Sequence, residues 1–237
     1  MIDLHSCINN FTSGFQQKVN YNNGSSIISH RYRSWEYCRE AFLKYKNGLP
    51  GNQNEKAQVV ENLALHLAFY LASWGMYRGS SFLLRFDYKI HEPIVEWLFA
   101  DEYKELFDLH LYQNDPKTYI NLLFGEKGVV KKIEDYLKEC RKIIANVKRD
   151  NVSDTLITKI LMGVYGCIPA YDKYFIKGLG KYGIQKKFSV KGVCDLLKQI
   201  HSYEDDINQT VIELNNNFKA VYTPMKVVDM YFWEKGH

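Results

Sequence analysis

The sequence holds no CxxC pair, no P-loop, no GxGxxG after a strand, no GxSxG and no HxxxH, and each absence removes a class of chemistry. The five cysteines (Cys7, Cys38, Cys140, Cys167, Cys194) are odd in number and widely spaced. That excludes a zinc knuckle or a disulfide framework and leads us to expect reduced thiols in a cytoplasmic chain. Without a phosphate loop or nucleophile elbow, nucleotide-dependent and serine-hydrolase readings lack support. The histidines at 5, 30, 66, 91, 110, 201 and 237 cluster neither with one another nor with carboxylates at ligand spacing, so no metal and no cofactor is expected. The N-terminus lacks a basic segment followed by an apolar run, hence no secretory signal is expected. The longest apolar stretch, 63–74, is broken by His66 and Ser73 and is too short for a bilayer, which argues against a membrane partner. Neither sign of charge dominates: 31 Lys+Arg against 27 Asp+Glu give +4. That balance permits a polyanionic partner without requiring one.

What the chain does contain points to helices. Hydrophobic residues at 46% and charged residues at 24% are the proportions of a globular domain, and 237 residues suffice for a substantial core. Two-residue alternation is scarce, whereas apolar residues recur at helical spacing from Trp35 onward. The expected fold is all-α, roughly nine or ten helices in one compact domain over 1–237, with two interleaved helical lobes as the alternative. Residues 1–33, including Asn22-Asn23-Gly24-Ser25-Ser26, read as a loop-rich segment with room for one short helix. Ser34 is placed to cap a helix over 34–46, closed by Asn47-Gly48-Leu49-Pro50-Gly51. Asn54 is the expected cap of a buried central helix within 54–84. Its stripe is Leu63, Leu67, Tyr70, Leu71 and Trp74, its second face Ala64, Ala68 and Ala72, and Gly75 and Gly79 should end or bend it. Further helices are expected over 93–99, 101–110, 116–124, 129–148, 190–203, 205–216 and 224–233. Between them, 153–175 reads as a helix, a Gly-containing turn and the start of another helix.

Three groups of residues could carry chemistry. Asn62, His66, Tyr70 and Trp74 lie four apart, in one inclined row on the central helix. They are either hydrogen-bonded core groups or the lining of a pocket formed with Tyr70 and Trp74, with His66 or Asn62 reading polar edges of a ligand and Arg78 as a nearby cation. At Ile168-Pro169-Ala170 the chain delivers Tyr171 and Asp172 to a helix start. Aspartate is a favoured N-cap, worth ~1 kcal/mol, and needs no active site there. A helix N-terminus also favours negative charge, so Asp172 equally suits the role of a fixed charge stabiliser. After it, Lys173, Lys177, Lys181, Lys186, Lys187 and Lys191 are interleaved with Tyr174, Phe175, Tyr182 and Phe188. Gly178, Gly180 and Gly183 are expected to keep part of this segment non-helical and expose its amides. Lysines and amides for phosphates, with aromatics for stacking, suit a nucleic-acid groove, while a solvated lysine face explains the same pattern.

Thr158-Lys159-Ile160-Leu161 followed by Ile168-Pro169-Ala170-Tyr171-Asp172 resembles the helix-hairpin-helix DNA glycosylase superfamily. The closing Val227-Val228-Asp229-Met230-Tyr231-Phe232-Trp233-Glu234-Lys235-Gly236 is similar to the final helix of helical relatives of that group. The likeness covers the C-terminal third, 153–237; no Leu-Pro-Gly-Val-Gly-type hairpin precedes it, and Lys159 stands closer to the aspartate than the Schiff-base lysine of bifunctional members. The resemblance implies a monofunctional, metal-free hydrolase of base excision acting on DNA. Asp172 would stabilise the oxocarbenium character that builds on the sugar. Tyr171, Trp74 or Tyr70 would receive the extruded base, and Lys173, Lys177, Lys181, Lys186 and Lys187 would hold phosphates. Lys159 would be a nucleophile only if burial depresses its pKa. The rival is a non-enzymatic helical module binding nucleic acid or a protein partner, as in regulation or phage defence.

Overall fold

The computed structural model describes residues 4–14, 16–21, 24–144, 152–218 and 220–237. In chain order its elements are α1 (Leu4–Thr12), β1 (Gln16–Tyr21), β2 (Gly24–Ser29), α2 (Ser34–Leu43), α3 (Gln53–Ser73), α4 (Glu92–Leu98), α5 (Leu111–Asn114), α6 (Pro116–Phe124), α7 (Val129–Lys142), α8 (Asp154–Val164), α9 (Lys173–Lys181), α10 (Val190–His201), α11 (Glu204–Phe218) and α12 (Pro224–Gly236). Tight 3-10 turns occur at Arg31–Arg33, Phe82–Arg85, Tyr88–His91 and Asp101–Phe107. The fold is thus mostly helical, as the spacing of apolar residues requires. The core centres on α8 and α12, because every residue from 156 to 171 and from 222 to 232 is buried. Each Leu, Ile or Phe buried there contributes on the order of 1.5–3 kcal/mol. No helix among the described residues is long and apolar enough to cross a membrane.

Several local expectations are overturned. Residues 16–21 and 24–29 pair as antiparallel strands, Gln16 opposite Ser29 and Lys18 opposite Ile27, where a loop was expected. The strands are mainly polar, so the backbone ladder defines them and hydrophobic alternation does not disclose them. The pair Asn23-Gly24 is a hairpin dipeptide; Asn22 and Asn23 themselves lie outside the described residues. The cap of α3 is Asn52, whose side chain accepts from the N–H groups of Asn54 (3.0 Å) and Glu55 (3.1 Å), not Asn54. The helix stops at Ser73, and Gly75, at φ 79°, turns the chain well before residue 84. Nor is α3 buried all round, since Leu65 is 44% and Phe69 59% exposed. The helix expected over 101–110 is a 3-10 turn followed by the four-residue α5. The end of the one expected over 129–148 falls partly on residues 145–151, outside the described residues.

The lysine segment also differs from expectation. Gly178 and Gly180 lie inside α9, and only Gly183, at φ 70°, makes a turn. A Cβ on Gly178 would strike the carbonyl oxygen of Phe232, and one on Gly236 the carbonyl oxygen of Tyr174. These glycines let α9 and α12 approach backbone to backbone, which fixes the start of α9 against the last helix.

Candidate functional site

The junction between α8 and α9 is held by side chains at nearly every polar backbone group. Ser153 caps α8 by accepting from the Leu156 N–H (3.2 Å). At the far end, Trp35 Nε1 donates to the Met162 carbonyl (2.8 Å) and the Arg39 guanidinium to that of Val164 (2.6 Å). Gly166 turns the chain at φ 61°, and its carbonyl accepts from the Thr223 hydroxyl (2.7 Å). The Cys167 carbonyl accepts from Tyr119 Oη (2.8 Å). Beyond Pro169, the Ala170 N–H donates to Asp229 Oδ1 (2.9 Å) and the Tyr171 N–H to Thr158 Oγ1 (2.9 Å), while Thr155 Oγ1 donates to the Tyr171 carbonyl (2.8 Å). Buried backbone groups must be paired; here side chains of α2, α6, α8 and α12, with Thr223, pair many of them. The aspartate that follows therefore sits on a rigid support.

Asp172 divides its two oxygens between two tasks. Oδ1 accepts from the N–H groups of Tyr174 (3.0 Å) and Phe175 (3.1 Å) and caps α9. Oδ2 lies 3.6 Å from Lys159 Nζ, and the side chain is 14% exposed. The Lys159 amine, 3% exposed, donates to the Trp74 carbonyl (2.9 Å) and sits 5.5 Å from the Trp74 ring centroid. Burial pushes its pKa below the usual lysine value; Asp172 and Asp229 oppose that shift and Lys226 adds to it. Behind Trp74, Lys226 Nζ is 4.7 Å from the ring centroid and donates to Asp229 Oδ2 (2.8 Å). Burial raises the Asp229 pKa, against the pull of Lys226. Taking each such ion out of water costs several kcal/mol before pairing returns it. Two ammonium groups and two carboxylates around one tryptophan are a poor way to gain stability alone.

This cluster floors a cavity of about 510 Å³, within the range of small-molecule sites. Arg31, Arg78, Lys159 and Lys173 line it, and among the described residues Asp172 is the one side-chain carboxylate in its wall. Its aromatic side stacks Tyr32 on Trp74 (4.7 Å between centroids, 23°) and Trp233 on His237 (4.8 Å, 15°), with Tyr174 at the edge of Trp233 (5.2 Å). Trp74 Nε1 is a buried donor without a partner among the described residues. Among those residues no three His, Cys, Asp or Glu side chains converge as a metal site.

Of the residues singled out in the sequence, the fold brings Lys159, Asp172, Lys173, Trp74 and Arg78 to this cavity. Tyr70 does not line it: the ring is 2% exposed and packs on Gly163, with Trp74 6.4 Å away. Tyr171 is fully buried against Phe175 (5.1 Å) and Phe188 (5.0 Å), and so supports the junction from below. His66 is half-buried on α3 away from the cavity, its pKa lowered by burial and then by Lys44. Lys177, Lys181, Lys186 and Lys187 are exposed outside it. Lys173, Lys177 and Lys181 fall four apart and form one row along α9 leading away from the rim. Tyr174, named as a stacking aromatic, does line the cavity; sequence reasoning missed Arg31, Tyr32, Trp233 and His237 as lining, and Lys226 with Asp229 as the buried pair. The one available signal was the pair Lys226 and Asp229, three apart within the otherwise apolar stretch 224–233.

Chemically, the site offers a fixed carboxylate, flat aromatic walls and donors suited to anionic or carbonyl-bearing groups. No family model matches the chain, and no curated protein or solved structure is found to be similar to it.

Proposed function

We propose that the chain is a DNA glycosylase-like hydrolase that breaks the N-glycosidic bond of a damaged or modified base, with Asp172 as the charge stabiliser. The observation that carries this reading is the split use of Asp172: one oxygen is tied to the α9 amides, while the other remains in the wall of a cationic, aromatic-lined cavity. A nucleotide drawn into that cavity would stack on the Tyr32–Trp74 or Trp233–His237 faces. The C1′–N bond breaks with its electron pair leaving on the base, and water adds to C1′. The carboxylate stabilises the cationic sugar and orients or deprotonates that water. Arg31, Arg78 and Lys173, and the α9 lysine row beyond them, would hold phosphates. Lys159 serves as the buried counter-charge that positions Asp172, since its amine already donates to the Trp74 carbonyl. The chemistry is therefore monofunctional, and the reading places the protein with cytoplasmic DNA.

The test is incubation of the protein with duplexes and single strands carrying damaged or modified bases, followed by detection of abasic sites. Asp172→Asn should bind these substrates and release base on the order of 10²–10⁴ more slowly. Base release by that variant at the parent's rate would sink the assignment. Borohydride should trap no covalent adduct; a trapped adduct lost in Lys159→Met would replace the positioning role of Lys159 with a nucleophilic one. A parent protein that binds nucleic acid yet releases no base would favour the non-enzymatic module.

A further inference from the structure

The hairpin β1–β2 has no part in the core. Side chains 16–20 and 25–28 are all exposed, among them Val19 at 40%, Ile27 at 67% and Ile28 at 54%. A two-stranded hairpin is marginal in water by itself, and exposed isoleucines on one are a liability unless something covers them. Its pairing register puts Lys18 and Ile27 on one face and Val19 and Ile28 on the other, so each face carries an apolar side chain. The strands carry one charge, Lys18, and no Asp or Glu occurs between Asp3 and Glu36; Arg31 follows at the rim, while Arg33 is buried in a pair with Glu36. The remaining strand residues are mostly amides and hydroxyls: Gln16, Gln17, Asn20, Ser25, Ser26 and Ser29. At its base β2 runs through His30 straight into Arg31 and Tyr32, which line the cavity. That end is fixed: Arg31 donates to the Ser73 carbonyl (3.1 Å), and His30 and Tyr32 pack ring to ring (4.4 Å).

We propose that β1–β2 is an arm that lies in the groove of a nucleic-acid duplex beside the nucleotide taken into the cavity. This rests on the nucleic-acid reading above and adds a partner surface to it. A two-stranded ribbon fits a groove about 12 Å wide. Strands of six residues are about 20 Å long, the length of about six base pairs. Lys18 meets a phosphate, the amides and hydroxyls meet backbone or base edges, and the isoleucines cover sugar and base-edge surface. Lys18 together with the absence of carboxylates favours a polyanion over a basic protein surface.

Binding of the full-length protein to a lesion-bearing duplex, read by fluorescence anisotropy and hydroxyl-radical footprinting, tests it. The variant combines Lys18→Gln, Ile27→Ser and Ile28→Ser, all exposed, and its melting temperature should match the parent's. Duplex affinity should fall by about tenfold or more. The footprint should lose about six base pairs on one side of the target nucleotide, while binding to single strands is unchanged. Unchanged affinity and footprint in the variant, with a parent that binds the duplex, would overturn the arm and leave the glycosylase reading standing. A parent that binds neither duplex nor single strand would overturn both. If sedimentation shows a parent dimer that the variant loses, a second copy covers the hairpin and the arm is wrong.

Discussion

Replacing Lys226 by Met tests whether the charges beneath the cavity are coupled as the geometry requires. Lys226 is 3% and Asp229 4% exposed, and they are joined by a 2.8 Å hydrogen bond. Methionine retains most of the apolar stem where the amine now sits, 4.7 Å from the Trp74 centroid and 5.5 Å from that of Trp35, so packing loss is small. What remains is a buried carboxylate held by the Ala170 N–H alone. Removing one partner of a buried pair costs about 3–5 kcal/mol. For a domain of this size that lowers Tm by roughly 6–20 °C. The variant has a second signature in pH. The folded-state pKa of Asp229 is already raised by burial, and loss of Lys226 raises it further. A raised carboxylate contributes stability that is complete below its unfolded pKa and is lost as pH rises through the folded one. The gap between Lys226→Met and the parent should therefore be widest near neutral pH and narrow on acidification. Adding Asp229→Asn removes the charge but keeps an acceptor for the Ala170 N–H, and should recover most of the loss. Calorimetric melting of the parent, both single variants and the double variant across pH measures all of this. A double variant no more stable than Lys226→Met, or a gap that does not narrow in acid, would refute the coupling.

Two further outcomes follow from the fold. His91 is fully buried, its Nε2 2.7 Å from the Tyr77 hydroxyl, and burial lowers its pKa from 6.5 to about 4. Its neutral form contributes stability above pH 6.5 that falls away as pH drops toward 4, about 3 kcal/mol in all. Acid melts of His91→Gln should be flatter than the parent's over that range, and identical slopes would exclude His91 as the source. Gly178→Ala forces a methyl group into the Phe232 carbonyl and should cost at least about 1–3 kcal/mol by denaturant titration. A neutral result would mean that α9 and α12 can separate without loss.

How much of the site was legible follows the range of each signal. The junction around Asp172 is local: a proline, a capping acid and a helical pattern within a few residues, so its form could be read directly. Lys159 and Trp74 could be named but not joined, because nothing in spacing says that Lys159 Nζ reaches the Trp74 carbonyl across 85 positions of chain. Tyr70 and Tyr171 share the residue type of the lining and were expected beside it. Only their neighbours, Gly163 in one case and Phe175 with Phe188 in the other, decide that they are core. The hairpin escaped because its register rests on backbone hydrogen bonds that leave no apolar alternation behind.

The sequence by itself determined the mostly helical class, the placement of α6, α8 and α12, and the start of α9 at Asp172, where a cap was one of two expected roles. These depend on side-chain period and on a carboxylate meeting amides two and three residues ahead. Tertiary structure alone decided that Arg31, Tyr32, Trp74, Trp233 and His237 close one cavity over Lys159 and Asp172. It also decided that Lys226 and Asp229 lie buried beneath Trp74. Those pairings join distant parts of the chain, and the energy that selects them, burial of an ion against its partner, exists only once the helices have packed.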